Sequence, residues 1–443
     1  MGHEIASAGG ASAENASRRI YYGYWLIGAA FVAQFVAVGS QNYVVGAFLK
    51  PMTTELDWTR SEFTLSRTLA QVIMAFTGFF IGGHVDRNGG RKLMLVGIVI
   101  LSTSLFSMSY VQSLWQWIAL NGMAMTIGAA MIGNLVVNVT LSKWFVEKRG
   151  LAVALASMGV SFAGVLLTPV MTAVIDEWGW RWGWRWMGIG AAVLIIPISM
   201  VMRRAPEDYG LHPDGKSPED VASGGGMKAT ADFASSLTRQ EALRTVSFYM
   251  LVFAFGMFGL TIGVMLLHTI PFMTDAEYSR STAAFMITLA SIPALISKPF
   301  WGLLMDKTDP KRLASISAVI TGVSLIVITT SVKAHNDPII WGGFLLLGFG
   351  WGGMIPLQEL IWATFFGRRH LGSVRSAGLP FSLFLGAGAP LLVSMYVDRV
   401  GDYDGALLAV AGMNLAAAVL LLFIKKPMRA DGLVPAREST APS

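Results

Sequence analysis

Twelve apolar runs recur along the 443-residue chain, each about as long as a bilayer is thick and each closed by charged punctuation. A helix needs about 20 predominantly apolar residues to cross the hydrocarbon. The runs fall near 22–49, 60–83, 93–111, 114–141, 150–175, 184–202, 247–274, 281–304, 313–332, 338–365, 374–398 and 404–424. Only 14% of residues are charged and 54% are hydrophobic, against about a quarter charged in a soluble domain. Most of this surface therefore belongs in lipid. In lipid a helix is the segment that satisfies its own backbone, so the expected fold class is an all-α membrane protein with twelve transmembrane helices. The polar stretches 1–21, 203–246 and 425–443 contain Gly, Ser and Pro and read as a tail, a linker and a second tail. The linker leaves two bundles of six, 22–202 and 247–424.

The absence of cysteine excludes disulfides, thiolate metal sites, iron–sulfur clusters and cysteine nucleophiles. Six scattered histidines offer no metal-ligand or nucleophile–base spacing, and no G-x-x-x-x-G-K-[ST] loop is present. The expectation is a non-enzyme with no metal and no cofactor. The net charge of +6 calls for no nucleic acid, because the bases form no aromatic-interleaved patch and loops on one membrane face account for them. Outside the spans, Lys50, Arg60, Arg181, Arg185, Arg280, Lys333 and Arg399 fall on one side, and the rest of the 33 Lys and Arg fall on the side of the tails and linker. That asymmetry makes the tails and linker cytoplasmic, in a multi-pass protein of the cell inner membrane. The polar start and long first span do not suit a cleaved signal peptide. Trp178, Trp180, Trp182, Trp184 and Trp186, interleaved with Arg181 and Arg185, read as an outer interfacial belt.

One motif occurs twice. Gly82-Gly83-His84-Val85-Asp86-Arg87 is followed by a turn and Arg91-Lys92. Gly302-Leu303-Leu304-Met305-Asp306-Lys307 is followed by a turn and Lys311-Arg312. Each copy closes the second span of its half, so the halves are duplicates. The glycine allows close helix approach, and the Asp can accept from an adjacent helix end or pair with a base.

These loops resemble the signature of the major facilitator superfamily, over essentially the whole chain. Tyr22-Gly23-Tyr24-Trp25, Gly46-Ala47-Phe48-Leu49-Lys50-Pro51, Trp144-Phe145 with Lys148-Arg149-Gly150-Leu151-Ala152, Pro206-Glu207-Asp208-Tyr209-Gly210-Leu211 and Phe366-Gly367-Arg368-Arg369-His370-Leu371-Gly372 together resemble its bacterial monocarboxylate transporter branch, near the oxalate/formate antiporters. The resemblance implies two pseudo-symmetric six-helix bundles that rock about a midplane site. It also implies a small organic anion as substrate, coupled protons and a monomer in the lipid bilayer, with an oxalate/formate-type anion exchanger or a carrier of another small solute as the alternatives. Two departures stand out. The second loop copy has Lys307 and Asp309-Pro310 where Arg and Gly are usual, and span five has Gly159, Gly164 and Pro169 without the tight glycine–proline motif of many antiporters.

Charges and amides inside spans are the candidate functional groups, because each is costly in hydrocarbon. Lys298 lies eight residues before Asp306, about 12 Å along the helix, where the resembled transporters carry a carboxylate-binding Arg before a proline. Glu359 lies at comparable depth in span ten. It either pairs with Lys298, so that its protonation frees the ammonium for a substrate anion, or pairs with Arg368, Arg369 or Arg375 as an inner gate beside Asp86, Arg87 and Asp306. Arg67 either snorkels or attracts anions. His268, on a face with Met265 and Thr261, is either a hydrogen-bonded wall residue or a proton carrier. Asn134 and Asn138 share a face and either bond between helices or contact substrate. Tyr43 offers a hydroxyl where animal members carry a substrate-proximal Lys. Lys298 remains the main cation for an anion, which points to one carboxylate rather than two.

Overall fold

The computed structural model describes residues 21–222 and 227–427; tail residues 1–20 and 428–443 lie outside the described residues. Among the described residues, twelve long helices make up the membrane body. They are α1 (Tyr22–Val38, a π turn Gly39–Tyr43, then Val45–Glu55), α2 (Arg60–Asn88), α3 (Arg91–Met108), α4 (Leu114–Trp144, in segments), α5 (Arg149–Trp178) and α6 (Trp180–Val201). The second half has α7 (Val246–Asp275), α8 (Arg280–Met305), α9 (Pro310–Lys333), α10 (Asp337–Phe366), α11 (Leu371–Ala377 and Leu379–Val400) and α12 (Asp404–Phe423). Among the described residues, eleven of them contain a stretch long and apolar enough to cross a membrane.

The duplication extends to packing. α1 packs on α5, α2 on α4, and α3 on α4 and α6; α7 packs on α11, α8 on α10, and α9 on α10 and α12. Pro51 and Pro271 sit inside α1 and α7 at equivalent positions, and the turns that follow place Asp57 (φ 54) and Glu277 (φ 65) in the same left-handed conformation. The N half and the linker-side ends of the C half share one apolar core, which includes Phe248, Trp301, Leu371 and Val374. Farther from the linker the C half has a separate core around Met265, Phe344 and Leu407. The halves are thus joined at the linker face. Tyr21 at the start of α1 and Lys425 after α12 also lie on that face, since Tyr21 donates to the His212 carbonyl and Ser247 to that of Lys425.

Three elements differ from a reading of continuous apolar runs. A π turn widens α1, with the Val44 N–H reaching the Gly39 carbonyl at 3.2 Å. α4 stops at Gly133 (φ −77, ψ −159) and restarts at Asn134. α6 begins at Trp180, so the tryptophan string is not one interfacial belt. Trp178, Trp182 and Trp186 are exposed, whereas Trp180 and Trp184, four apart on the opposite face, are buried. Trp184 stacks on Phe48 at 3.8 Å and Trp180 donates to Glu55 at 2.6 Å. Hydrogen bonds from Arg181 and then Trp180 hold the Glu55 carboxyl below its usual range.

Close helix crossings depend on missing side chains. A Cβ on Gly348 of α10 would lie 1.9 Å from the Ala290 carbonyl oxygen of α8. Gly348→Val is therefore expected to cost about 1–3 kcal/mol through overpacking, read as a lower midpoint of thermal unfolding in detergent; an unchanged midpoint would contradict this packing.

Candidate functional site

The halves meet along two crossed seams, α2 against α11 and α5 against α8, and the repeated motif closes both. Asp86 at the end of α2 accepts from the backbone N–H groups of Gly372 (3.0 Å) and Ser373 (2.7 Å) in the first turn of α11, and from the Ser373 hydroxyl (2.8 Å). Asp306, at the end of α8, accepts from the Gly150 (2.8 Å) and Leu151 (3.1 Å) N–H groups that begin α5. First-turn N–H groups lack intrahelical partners and sit at the positive end of the helix dipole, so each carboxylate caps a helix of the opposite half. The glycines permit it. A Cβ on Gly82 would lie 2.2 Å from the Gly372 carbonyl, and one on Gly302 would lie 2.9 Å from the Leu151 Cα. Buried Lys143 of α4 also approaches Asp86 at 3.3 Å. Arg87 is exposed and lines a cavity of about 450 Å³ together with Lys143, Arg204, Arg368, Arg369 and His370. Burial holds the His370 imidazole below its usual range.

The linker fastens the same face. Asp232 pairs with Arg149 of α5 at 3.1 Å and lies 3.9 Å from Arg368, which precedes α11. Arg368 also donates to the Lys143 carbonyl (2.9 Å) and to Glu207 (2.6 Å). Arg239 donates to the Phe79 carbonyl of α2 (3.1 Å) and to the Ser373 carbonyl (2.9 Å) and Ser376 hydroxyl (3.3 Å) of α11. The polar composition of 203–246 gave no hint of this role.

Lys298 of α8 is 2% exposed. Its ammonium donates to the Ser157 carbonyl at 2.8 Å and the Ser161 hydroxyl at 2.5 Å, both on α5 of the other half. Among the described residues no carboxylate lies within ion-pair distance of it. Glu359, also buried, accepts instead from Arg375 at 3.2 Å, and the Arg375 guanidinium lies 5.4 Å from the Trp362 ring. Of the two pairings open to Glu359, the structure has the one with Arg375 and not the one with Lys298: equal depth in the bilayer does not put two residues on facing sides of their helices. Ser157 and Ser161 escaped the sequence reading, because serines in an apolar helix carry no signal of what crosses to them.

Tyr43 reaches α5 close by. Its ring packs on Gly164, three residues beyond Ser161, where an added Cβ would lie 2.4 Å from the ring. Residues from both halves therefore converge on one stretch of α5. Arg67 donates to the Gln41 carbonyl (2.9 Å) and Asn42 side chain (3.1 Å) and so braces the π turn of α1. Asn138 accepts from Gln34 of α1 at 3.0 Å, whereas the Asn138 amide nitrogen and the Gln34 and Asn134 amide oxygens have no partner among the described residues. His268 is held by the Pro390 carbonyl at 3.0 Å and the Tyr403 hydroxyl at 3.5 Å, in the wall between α7, α11 and α12. Among the described residues no cluster of His, Asp and Glu could hold a metal ion.

The chain belongs to the Major Facilitator Superfamily, whose sequence pattern matches residues 30–378 and 257–442. It is 25% identical over 383 residues to an uncharacterized MFS-type transporter, YcxA, of Bacillus subtilis (strain 168), covering 85% of this chain and 86% of that one. It is 27% identical over 360 residues to the oxalate:formate antiporter of Oxalobacter formigenes, covering 79% and 80%. The fold matches that of the proton:xylose symporter XylE (TM-score 0.72, 12% identity, 91% of this chain and 96% of that one). It also matches that of the human organic anion transporter MFSD10 (TM-score 0.66, 13% identity, 90% and 99%). The protein is accordingly a multi-pass membrane transporter of this superfamily.

Asp86→Ala removes three hydrogen bonds to a carboxylate and leaves Lys143 buried without this acid. Hydrogen bonds to charged groups are worth about 1.5–3 kcal/mol each, so the linker face should open at least tenfold more often. The chain has no cysteine, so spin labels on Lys92→Cys and Thr308→Cys report this directly as a longer inter-label distance; an unchanged distance distribution would argue against the lock.

Proposed function

We propose that this transporter moves a small monocarboxylate across the inner membrane by alternating access, coupled to protons. The observation that carries the reading is the Lys298 ammonium, which is withdrawn from solvent within a membrane span and has only neutral acceptors among the described residues. A buried charge without a counter-charge is costly, and an anion delivered as cargo supplies that counter-charge. Lysine is a compact point charge rather than a bidentate fork, which suits one carboxylate. Tyr43 of α1 packs on Gly164, on the same stretch of α5 that Lys298 contacts, and offers a hydroxyl to the cargo. Asn134 and Asn138 line the N half with amides whose bonding is incomplete, and Arg67 and His268 shape the outer walls. Asp86, Arg87, Asp306 and Arg375 belong to the gate at the linker face, which the bias of basic residues assigns to the cytoplasm. The proton falls to Glu359, since neutralising it releases Arg375 at that gate. The protein acts as a monomer, with no cofactor, no metal and no catalysis of its own.

Exchange of organic anions is the second reading, favoured by the similarity to the Oxalobacter antiporter. Uptake into vesicles with and without internal anion separates the two: an exchanger requires an anion on the far side, whereas a symporter accumulates substrate when only a proton gradient is imposed.

Lys298→Gln in proteoliposomes is expected to abolish saturable uptake of labelled lactate, pyruvate, formate or oxalate, whichever the parent carries, with binding about 10–150-fold weaker for the loss of a charged hydrogen bond. Lys298→Arg should retain part of the uptake; undiminished uptake by Lys298→Gln would overturn the assignment. Glu359→Gln should uncouple uptake from an imposed proton gradient while leaving exchange of substrate across the membrane, and parent-like proton-driven accumulation would remove the proton from Glu359.

A further inference from the structure

Both acceptors of the Lys298 ammonium belong to the half that does not carry it. The contact spans the α5–α8 seam, which the Asp306 bonds to Gly150 and Leu151 also close nearer the linker. Linker-side opening must part this seam, and so must break the lysine contact. Ser157 contributes a main-chain carbonyl, which no side-chain substitution removes. Ser161 contributes a hydroxyl, the one replaceable atom of the contact, and is itself 5% exposed. Beside it Gly164 admits the Tyr43 ring, so groups from both halves meet this stretch of α5.

Resting on the carboxylate reading above, we propose that the Ser161 hydroxyl is a stand-in ligand for the cargo. In the empty carrier it holds Lys298 across the seam, and an incoming carboxylate displaces it. The ammonium–hydroxyl bond is charged on one side only, whereas a carboxylate brings a full opposite charge, and the attraction between unit charges is stronger in a low-dielectric site than in water. A carboxylate on the same ammonium therefore outcompetes it, and the tether between halves is exchanged for a bond to the cargo. Binding thereby loosens the seam that must open for release. An empty carrier stays latched, which couples reorientation to occupancy. Ser161 acts through Lys298 and is a positioning residue for transport rather than part of the anion site.

The experiment uses the full chain in lipid nanodiscs, with spin labels on Lys148→Cys and Thr308→Cys flanking the linker end of the seam. Distances are measured with and without millimolar formate, lactate, pyruvate and oxalate, and binding of the same anions is followed by thermal shift. In the parent, the anion that binds should raise the open population. In Ser161→Ala the anion-free open population should already be raised about tenfold, with little further change on adding anion and with affinity equal to or tighter than the parent's. Ser161→Thr keeps the hydroxyl and should restore parent-like distances, which separates the tether from a packing defect. An anion-free Ser161→Ala population equal to the parent's would overturn the proposal. So would weakened anion binding in that variant, because the hydroxyl would then belong to the anion site. If the parent answers to none of the four anions while Ser161→Ala still opens the seam, the tether stands and the carboxylate reading falls.

Discussion

A bilayer core supplies no water to complete a hydrogen bond, so every polar group that this chain carries into it must find its partner in protein or in cargo. The two halves use that constraint as adhesive. Asp86 and Asp306 each cap the first turn of a helix in the opposite half, where N–H groups have no other intrahelical use. Because donor and acceptor sit on different halves, separating them strands both. The glycines at each crossing are what bring the backbones close enough for a carboxylate as short as Asp to reach, so the repeated Gly–x₃–Asp spacing is one device: close approach followed by a cap.

Span number, the division into halves and this motif were legible in the sequence because each is a matter of length, composition or spacing along one helix. Partnership across helices was not. Glu359 and Lys298 lie at similar depth, yet α10 turns the acid toward Arg375 and α8 turns the lysine toward α5. Depth follows from rise per residue, whereas facing depends on the rotation of each helix in the packed bundle. Trp180 and Trp184 show the same limit from the other side: the i, i+4 spacing that separates them from Trp178, Trp182 and Trp186 was in the sequence, but which stripe is buried is decided by Phe48 and Glu55 on α1. The π turn of α1 and the break at Gly133 also left no mark on hydropathy, since a run of apolar residues reads alike whether or not its backbone ladder is continuous.

The linker makes a related point about composition. A polar stretch rich in small residues has the same signature whether it hangs free or is clamped, because the signature records what the segment cannot bury, not what it can pair with. Here Asp232, Glu207 and Arg239 find partners on both halves, and the amides of Val146, Glu147 and Lys148 are gathered by Asp214. The segment that joins the halves in sequence thus also clasps them in space, at the face where the carboxylate caps already hold.

The duplication is faithful in backbone and unequal in chemistry, and the inequality has a consequence for transport. Four residues before the motif glycine, α8 carries Lys298 and α2 carries Gly78. At Gly78 the seam is filled by the Leu379 side chain, whose Cδ1 would lie 2.2 Å from an added Cβ, while at Lys298 the seam is bridged by an ammonium. Apolar contact of the first kind is indifferent to what the transporter carries. An ammonium on neutral acceptors is not, because its bonding improves only when an anion arrives. On the proposed anion reading the two seams therefore divide the labour: both carboxylate caps hold the linker face closed, and α5–α8 adds the contact through which the state of the cargo enters that balance.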